Sequence, residues 1–245
     1  MPESLFDLCV AVTLIEEGGY THDANDPGNW TGGEIGKGEC KGTNYGISAA
    51  SYPDLGAVAA ETYSVNPTWT AGDLAAIYTV RKGIRIIAIR GTTRDPRDWT
   101  RDLSAWPAHD RDLGFCHAGF LAGAWELYRR SPLADDDFRG AIIVGHSMGG
   151  ALAILLGAIL TTENSPPRAI VTFGAPRCAS WKVRRLLREL PLRLYRNGDD
   201  PVPDVPWLPG LYVHPRRLIQ IGEAALDPFN DHHISVYCRV MEDIQ

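Results

Sequence analysis

Residues 141–150 read Ala-Ile-Ile-Val-Gly-His-Ser-Met-Gly-Gly, and the reading of the whole chain turns on them. Ala141–Val144 has no polar side chain, as in a strand covered on both faces. Met148–Leu160 is rich in Ala and Leu, as a packed helix is. Between them, Gly145-His146-Ser147-Met148-Gly149 fits the spacing G-x-S-x-G. That spacing serves a sharp strand-to-helix turn: Cβ atoms on its flanks find no room, and the serine hydroxyl is lifted clear of the sheet edge. The helix beginning there aims backbone N–H groups at the same place, so the Met148 amide is positioned to donate to an oxyanion formed beside Ser147.

Outward from this turn, strands alternate with helices from about Gly56 onward, the order of a mostly parallel sheet covered on both faces. Ala75–Val80 and Ile84–Arg90 predict an antiparallel hairpin turning at Arg81-Lys82-Gly83. Helices are predicted over His117–Arg130 and Ser180–Leu190, and strands over Ala169–Phe173, Leu192–Tyr195 and Arg217–Ile221. A last helix or turn is predicted from Asp231. The fold class is therefore α/β, preceded by a short helix and a glycine-rich loop. In that N-terminal piece Leu5, Leu8, Cys9, Val12 and Ile15 recur at helical steps, and Gly28–Gly46 is loop.

Charge divides the chain at the same place. Residues 1–55 hold nine acidic and two basic side chains and nine of the 25 glycines, and the other 190 residues are nearly neutral. Two pieces are expected, 1–55 and 56–245. No Lys/Arg stripe offers a footprint for nucleic acid, and no apolar run approaches the ~18 residues of a transmembrane helix. Glu3 and Asp7 stand where a secretory leader places basic side chains, which predicts a cytoplasmic protein or one released by a non-classical or lytic route. The five cysteines are scattered and never form C-x-x-C, so reduced, buried thiols are expected rather than a disulfide framework or a zinc site.

A serine hydroxyl needs a base, and the base needs a carboxylate to hold its tautomer and stabilise the imidazolium. Downstream of Ser147 the acids cluster at Asp199, Asp200 and Asp204, and the histidines are His214, His232 and His233. Asp199 suits a solvated turn, and His146 suits packing beside the nucleophile.

At this point the chain resembles the class 3 lipases, α/β-hydrolases that include the fungal triacylglycerol lipases. The resemblance runs from about Ala59 to Val240. Its marks are Ile89-Arg90-Gly91-Thr92 with Trp99 and Asp102 behind it, His117-Ala118-Gly119-Phe120, the turn at Gly145–Gly149, Phe173-Gly174-Ala175-Pro176, Asp200-Pro201-Val202-Pro203 and Asp231-His232. It implies Ser147 as nucleophile, Asp200 as acid and His232 as base, with Tyr237 following at family-like spacing. It also implies an oxyanion hole from Thr92 and Met148, and an architectural His117. The implied activity is hydrolysis of acylglycerols or other carboxylic esters through an acyl-enzyme, with no metal or organic cofactor. Thr92–Pro107, with Trp99, Leu103 and Trp106, lies where fungal relatives carry a lid; a mobile lid and a fixed segment with inward tryptophans are equally compatible with it.

The first 55 residues resemble another family. Glu17-Gly18-Gly19-Tyr20, Asn25-Asp26-Pro27-Gly28 and Thr43-Asn44-Tyr45-Gly46-Ile47 are similar to the start of glycoside hydrolase family 108-type muramidases, which cleave peptidoglycan. The resemblance implies Glu17 as a catalytic acid and peptidoglycan as a possible contact of residues 1–55. So short a piece does not easily bury a core of its own, which favours a remnant or fused module, with glycan contact through the loop carrying Trp30, over a working muramidase.

Overall fold

The computed structural model describes residues 20–21, 24–25, 27, 30–40, 43–44, 47–48, 68–71, 74–81, 83–90, 106–208 and 210–243. Three two-residue strands, β1 (Tyr20–Thr21), β2 (Thr43–Asn44) and β3 (Ile47–Ser48), form a small antiparallel sheet. The main sheet has seven strands in the order β12-β11-β10-β9-β6-β5-β4. At one end of it the edge strand β4 (Thr68–Ala71) runs antiparallel to β5 (Leu74–Arg81), and β5 pairs antiparallel with β6 (Ile84–Ile89). From β6 the sheet is parallel through β9 (Ala141–His146), β10 (Ala169–Phe173), β11 (Leu192–Asn197) and β12 (Ile219–Ile221). A separate hairpin of β7 (Pro107–Asp110) and β8 (Gly114–His117) leads into the first helix.

Alternation along the central strands sorts their side chains onto two faces. On one face Ile87, Ile89, Ala141 and Ile143 pack against α1 (Ala118–Arg130), α3 (Met148–Thr162) and α4 (Trp181–Leu186). On the other, Ile86, Ala88, Ile142 and Val144 share a core with Ile234, Tyr237 and Met241 of α5 (Ile234–Asp243). All six residues of β9 are buried. In α3 every residue from Gly149 to Leu160 is buried, as an all-apolar helix must be, and α1 packs over it. The short α2 (Asp135–Arg139) leads into β9.

The predicted hairpin and the strand 169–173 stand where the sequence puts them. Several predicted elements differ in extent, among them the strand expected over Arg217–Ile221, which is regular only over Ile219–Ile221. The helix expected over Ser180–Leu190 is regular only over Trp181–Leu186. Ser180 caps its start, its hydroxyl accepting from the Lys182 and Val183 amides; beyond Leu186 the chain tightens into turns, the Arg188 amide donating to Arg185 (3.3 Å) and the Leu190 amide to Leu187 (3.2 Å), before Pro191. β9 and β11 each run two residues beyond their predicted ends, and both extensions carry polar residues of the site.

Cys116 and Cys178 are buried free thiols, whereas Cys40 and Cys238 are only half-buried, contrary to the expectation for them. The predicted helix over Leu5–Ile15, Cys9 and the segment from Gly91 to Ala105 lie outside the described residues. No helix among the described residues is long and apolar enough to cross a membrane.

Candidate active site

The turn after β9 has the strain that its sequence implies. Ser147 sits at φ 53° and ψ −128°, a conformation that non-glycine residues adopt only under constraint. The constraint is visible: the Ser147 N–H donates to the Phe173 carbonyl (2.9 Å), and the Ser147 carbonyl accepts from Gly150 (2.9 Å) as α3 begins. A Cβ at Gly145 would land on the Gly149 carbonyl, and one at Gly149 on the Ile89 carbonyl. Ser147 is 3% exposed, and its hydroxyl finds no hydrogen-bond partner among the described residues. Met148 is the first residue of α3, so its amide has no acceptor within the helix and lies at the positive end of the helix dipole.

The carboxylate comes from the loop after β11. Asp200 is fully buried, and its Oδ1 accepts from the Val202 amide (2.9 Å). His232, 1% exposed in a short 3-10 turn (Asn230–His232), places Nδ1 2.9 Å from Oδ2 and 3.0 Å from Oδ1 of Asp200. A carboxylate can only accept there, so Nδ1 carries the proton and Nε2 keeps a lone pair able to accept one. The neighbouring candidates separate cleanly. Asp199 and His233 are exposed. Asp204 bridges Arg177 (3.0 Å) and Arg196 (3.1 Å), and His214 donates from Nε2 to the Pro203 carbonyl (2.8 Å).

Several residues hold this pair in place without being part of it. Tyr237 of α5, fully buried, donates its hydroxyl to Asp200 Oδ2 (2.7 Å) and accepts from the Asn197 amide (3.0 Å). Burial, and then the adjacent Asp200 carboxylate, push the Tyr237 phenol well above its ordinary range. His146 donates from Nε2 to the His232 carbonyl (2.6 Å), with the two rings 4.6 Å apart. Because His146 is peptide-bonded to Ser147, this bond ties the serine turn to the histidine loop. Asp231 accepts from the Asp199 (2.9 Å) and Ala225 (3.0 Å) amides, which joins that loop to the one carrying Asp200. Gly174, at φ 60°, leaves the pair its space: a Cβ there would lie 2.7 Å from Asp200 Oδ2 and 2.9 Å from His232 Nδ1.

Of the other sequence-derived site residues, Thr92 and Glu17 lie outside the described residues. His117 is the N-cap of α1, its Nδ1 accepting from the Phe120 amide (3.4 Å) and its ring stacked on Phe120. Burial lowers its pKa. Trp30 bridges Cys40 across an N-terminal hairpin and spends its indole N–H on the Ala24 carbonyl (2.9 Å). The roles of Tyr237, Asn197 and Gly174 escaped the sequence reading, although a lone tyrosine on the apolar face of the last helix was a usable signal.

The family model for class 3 lipases matches residues 86–209, half of the chain, and the model for glycosyl hydrolase 108 matches residues 10–81. The second match takes in β4 and β5, which complete the main sheet. Secreted mono- and diacylglycerol lipase 1 of Fusarium solani is 28% identical over 155 residues, covering 58% of this chain and 45% of that protein. Secreted mono- and diacylglycerol lipase A of Penicillium cyclopium is 26% identical over 157 residues, covering 60% and 50%. The chain thus spans about half the length of the fungal relatives it matches.

Among solved structures, lipase II from Rhizopus niveus superposes with a TM-score of 0.55 at 22% identity, covering 66% of each chain. A triacylglycerol lipase whose catalytic centre is described as a serine protease triad gives 0.60 at 20% identity, covering 91% of this chain and 81% of that one. These likenesses establish the α/β-hydrolase fold. With half its length matched by the family model, the chain belongs to the class 3 lipases.

Proposed function

We propose that this chain is a serine hydrolase that cleaves carboxylic esters, with acylglycerols or related lipid esters as substrates. The observation that carries the reading is the buried Asp200–His232 pair, delivered by two separate loops and tied through His146 to a serine held at positive φ. Ser147 Oγ attacks the ester carbonyl as its proton passes to His232 Nε2. The imidazolium so formed is stabilised by Asp200. The Met148 amide, with Thr92 as second donor, takes the charge on the tetrahedral oxygen. The proton then goes to the leaving alcohol, and a water activated by the same histidine releases the acid and restores Ser147. The fungal relatives named as mono- and diacylglycerol lipases support lipid esters as the substrate class.

A fluorophosphonate probe tests the assignment. Labelling is expected on the peptide containing Ser147, and Ser147→Ala is expected to lose both labelling and p-nitrophenyl butyrate hydrolysis. Full-rate hydrolysis by Ser147→Ala would overturn it. A second reading rests on the glycosyl hydrolase 108 match over residues 10–81: the N-terminal piece contacts peptidoglycan, with Glu17 as an acid. Clearing of a peptidoglycan suspension by the wild type but not by Glu17→Gln would establish it; equal clearing by both would dismiss Glu17.

A further inference from the structure

The stretch that delivers Asp200 cannot hold itself. Residues 200–206 read Asp-Pro-Val-Pro-Asp-Val-Pro, and the prolines at 201, 203 and 206 have no amide to donate. The remaining amides are all committed. Asp200 donates to the Asn197 carbonyl (3.0 Å), Asp204 to Pro201 (3.1 Å) and Val205 to Val202 (3.1 Å), while Val202 donates to Asp200 Oδ1 (2.9 Å). The carbonyls of residues 203, 204 and 205 therefore depend on donors from outside the stretch.

Two residues supply them. His214 donates from Nε2 to the Pro203 carbonyl (2.8 Å). Arg177 serves the other two, its Nη1 donating to the Asp204 carbonyl (2.5 Å) and its amide to the Val205 carbonyl (2.8 Å). Arg177 Nη2 also meets Asp204 Oδ1 (3.0 Å), while Arg196 Nη2, from β11, takes Oδ2 (3.1 Å). One carboxylate thus lies between two guanidiniums whose side chains are only 25% and 24% exposed. Burial holds the His214 imidazole below its ordinary range, so at neutral pH it adds a donor and no third cation.

Arg177 also stands close to the acid–base pair in sequence. It follows by three residues Gly174, whose missing Cβ leaves Asp200 and His232 their space. One segment therefore borders the Asp200 carboxylate and grips the far end of the turn that bears it. An exposed ion pair fixes little, because its long side chains stay free. A guanidinium that spans a carbonyl and a carboxylate at once sets direction as well as distance.

We infer that Arg177 is a positioning residue for the proposed hydrolysis: through Asp204 it fixes the direction in which Asp200 presents its carboxylate to His232 Nδ1. The consequence for rate rests on the ester-hydrolase reading, whereas the geometry can be read without turnover. Arg177→Lys keeps the charge but cannot span both acceptors, and Asp204→Asn keeps the size but gives up the charge. Each is made in the full chain, with and without Ser147→Ala. In the Ser147→Ala chain the Nδ1 proton shared with Asp200 is followed by proton NMR at low field, and is assigned by its loss in His232→Gln. It is expected in the parent and expected to move upfield or broaden away in both substituted chains. With Ser147 present and well below each thermal midpoint, kcat on p-nitrophenyl butyrate should fall about tenfold or more while KM stays within about twofold, since a ~1 Å displacement can cost about a hundredfold.

A resonance unchanged in both variants would overturn the assignment, even with a lowered thermal midpoint, because the cluster would then be an ordinary structural ion pair. So would an unchanged kcat, or a loss confined to KM. If Arg177→Lys does not fold, Asp204→Asn decides by the same criteria. A resonance that moves as expected in a protein whose wild type hydrolyses no ester would leave the positioning role standing and remove the catalytic reading instead.

Discussion

Ser147 has two costs built into its position, and removing them one at a time separates the backbone from the side chain. Its φ of 53° and ψ of −128° correspond to about 1–3 kcal/mol of conformational strain. Its buried hydroxyl, without a partner among the described residues, adds a desolvation cost of about 1–3 kcal/mol. Ser147→Ala removes the hydroxyl but keeps a Cβ at positive φ. Ser147→Gly removes both, at the cost of about 0.5–1 kcal/mol of extra unfolded-chain entropy.

The expected order of stability is therefore Gly above Ala above Ser. The Gly–Ala gap is about 0–2.5 kcal/mol once strain and entropy are set against each other. For a chain of this size, ~1 kcal/mol moves the melting midpoint by about 2–4 °C, so scanning calorimetry at neutral pH resolves the series. Neither variant is expected to turn over p-nitrophenyl butyrate. A Gly variant that melts below the Ala variant would refute the claim of stored backbone strain. An Ala variant that melts below the wild type would refute the claim that the hydroxyl is held at a cost.

Two other perturbations read the support of the acid–base pair. Gly174→Ala would place a methyl group 2.7 Å from Asp200 Oδ2 and 2.9 Å from His232 Nδ1; displacing a reacting group by ~1 Å can cost about a hundredfold in rate, so kcat should fall about that far in steady-state assays, and an unchanged kcat would contradict the packing described. Tyr237→Phe removes a hydrogen bond to a carboxylate, worth about 1.5–3 kcal/mol, and should lower the urea midpoint at pH 8. The Tyr237 phenol is raised in the folded chain, so above pH 10 the unfolded chain gives up a proton that the folded one keeps, and wild-type stability falls as pH rises; the gap between wild type and Tyr237→Phe should narrow by about 1.4 kcal/mol between pH 8 and pH 11, and a constant gap would show that the phenol titrates normally.

Local pattern was enough for the scaffold and for the strained turn at Ser147. The hairpin of β5 and β6 is legible in two apolar runs around a glycine turn, and α3 in an unbroken apolar stretch, because burial on every side leaves no polar position to disguise the period. Gly145 and Gly149 could be assigned from spacing alone, since the clash they avoid is with backbone a few residues away or on the adjacent strand. The helix over Ser180–Leu190 is regular over fewer residues than its pattern predicts, because the side-chain period continues past Leu186, where the backbone tightens into short turns.

The acid and base proposed to serve Ser147 are a different matter. Asp199, Asp200 and Asp204 are equivalent as letters, as are His232 and His233, and only resemblance to a family ranked them. In the folded chain the end of β11 buries Asp200 and leaves Asp199 in water, while the 3-10 turn buries His232 and leaves His233 exposed. Tyr237 reaches Asp200 across 37 residues because α5 packs on the face of the sheet away from α3. A turn and a buried helix are set by interactions within a few residues and so can be read from local sequence. Which carboxylate loses its water, and which donors replace it, depends on chain segments that meet only after the sheet has formed.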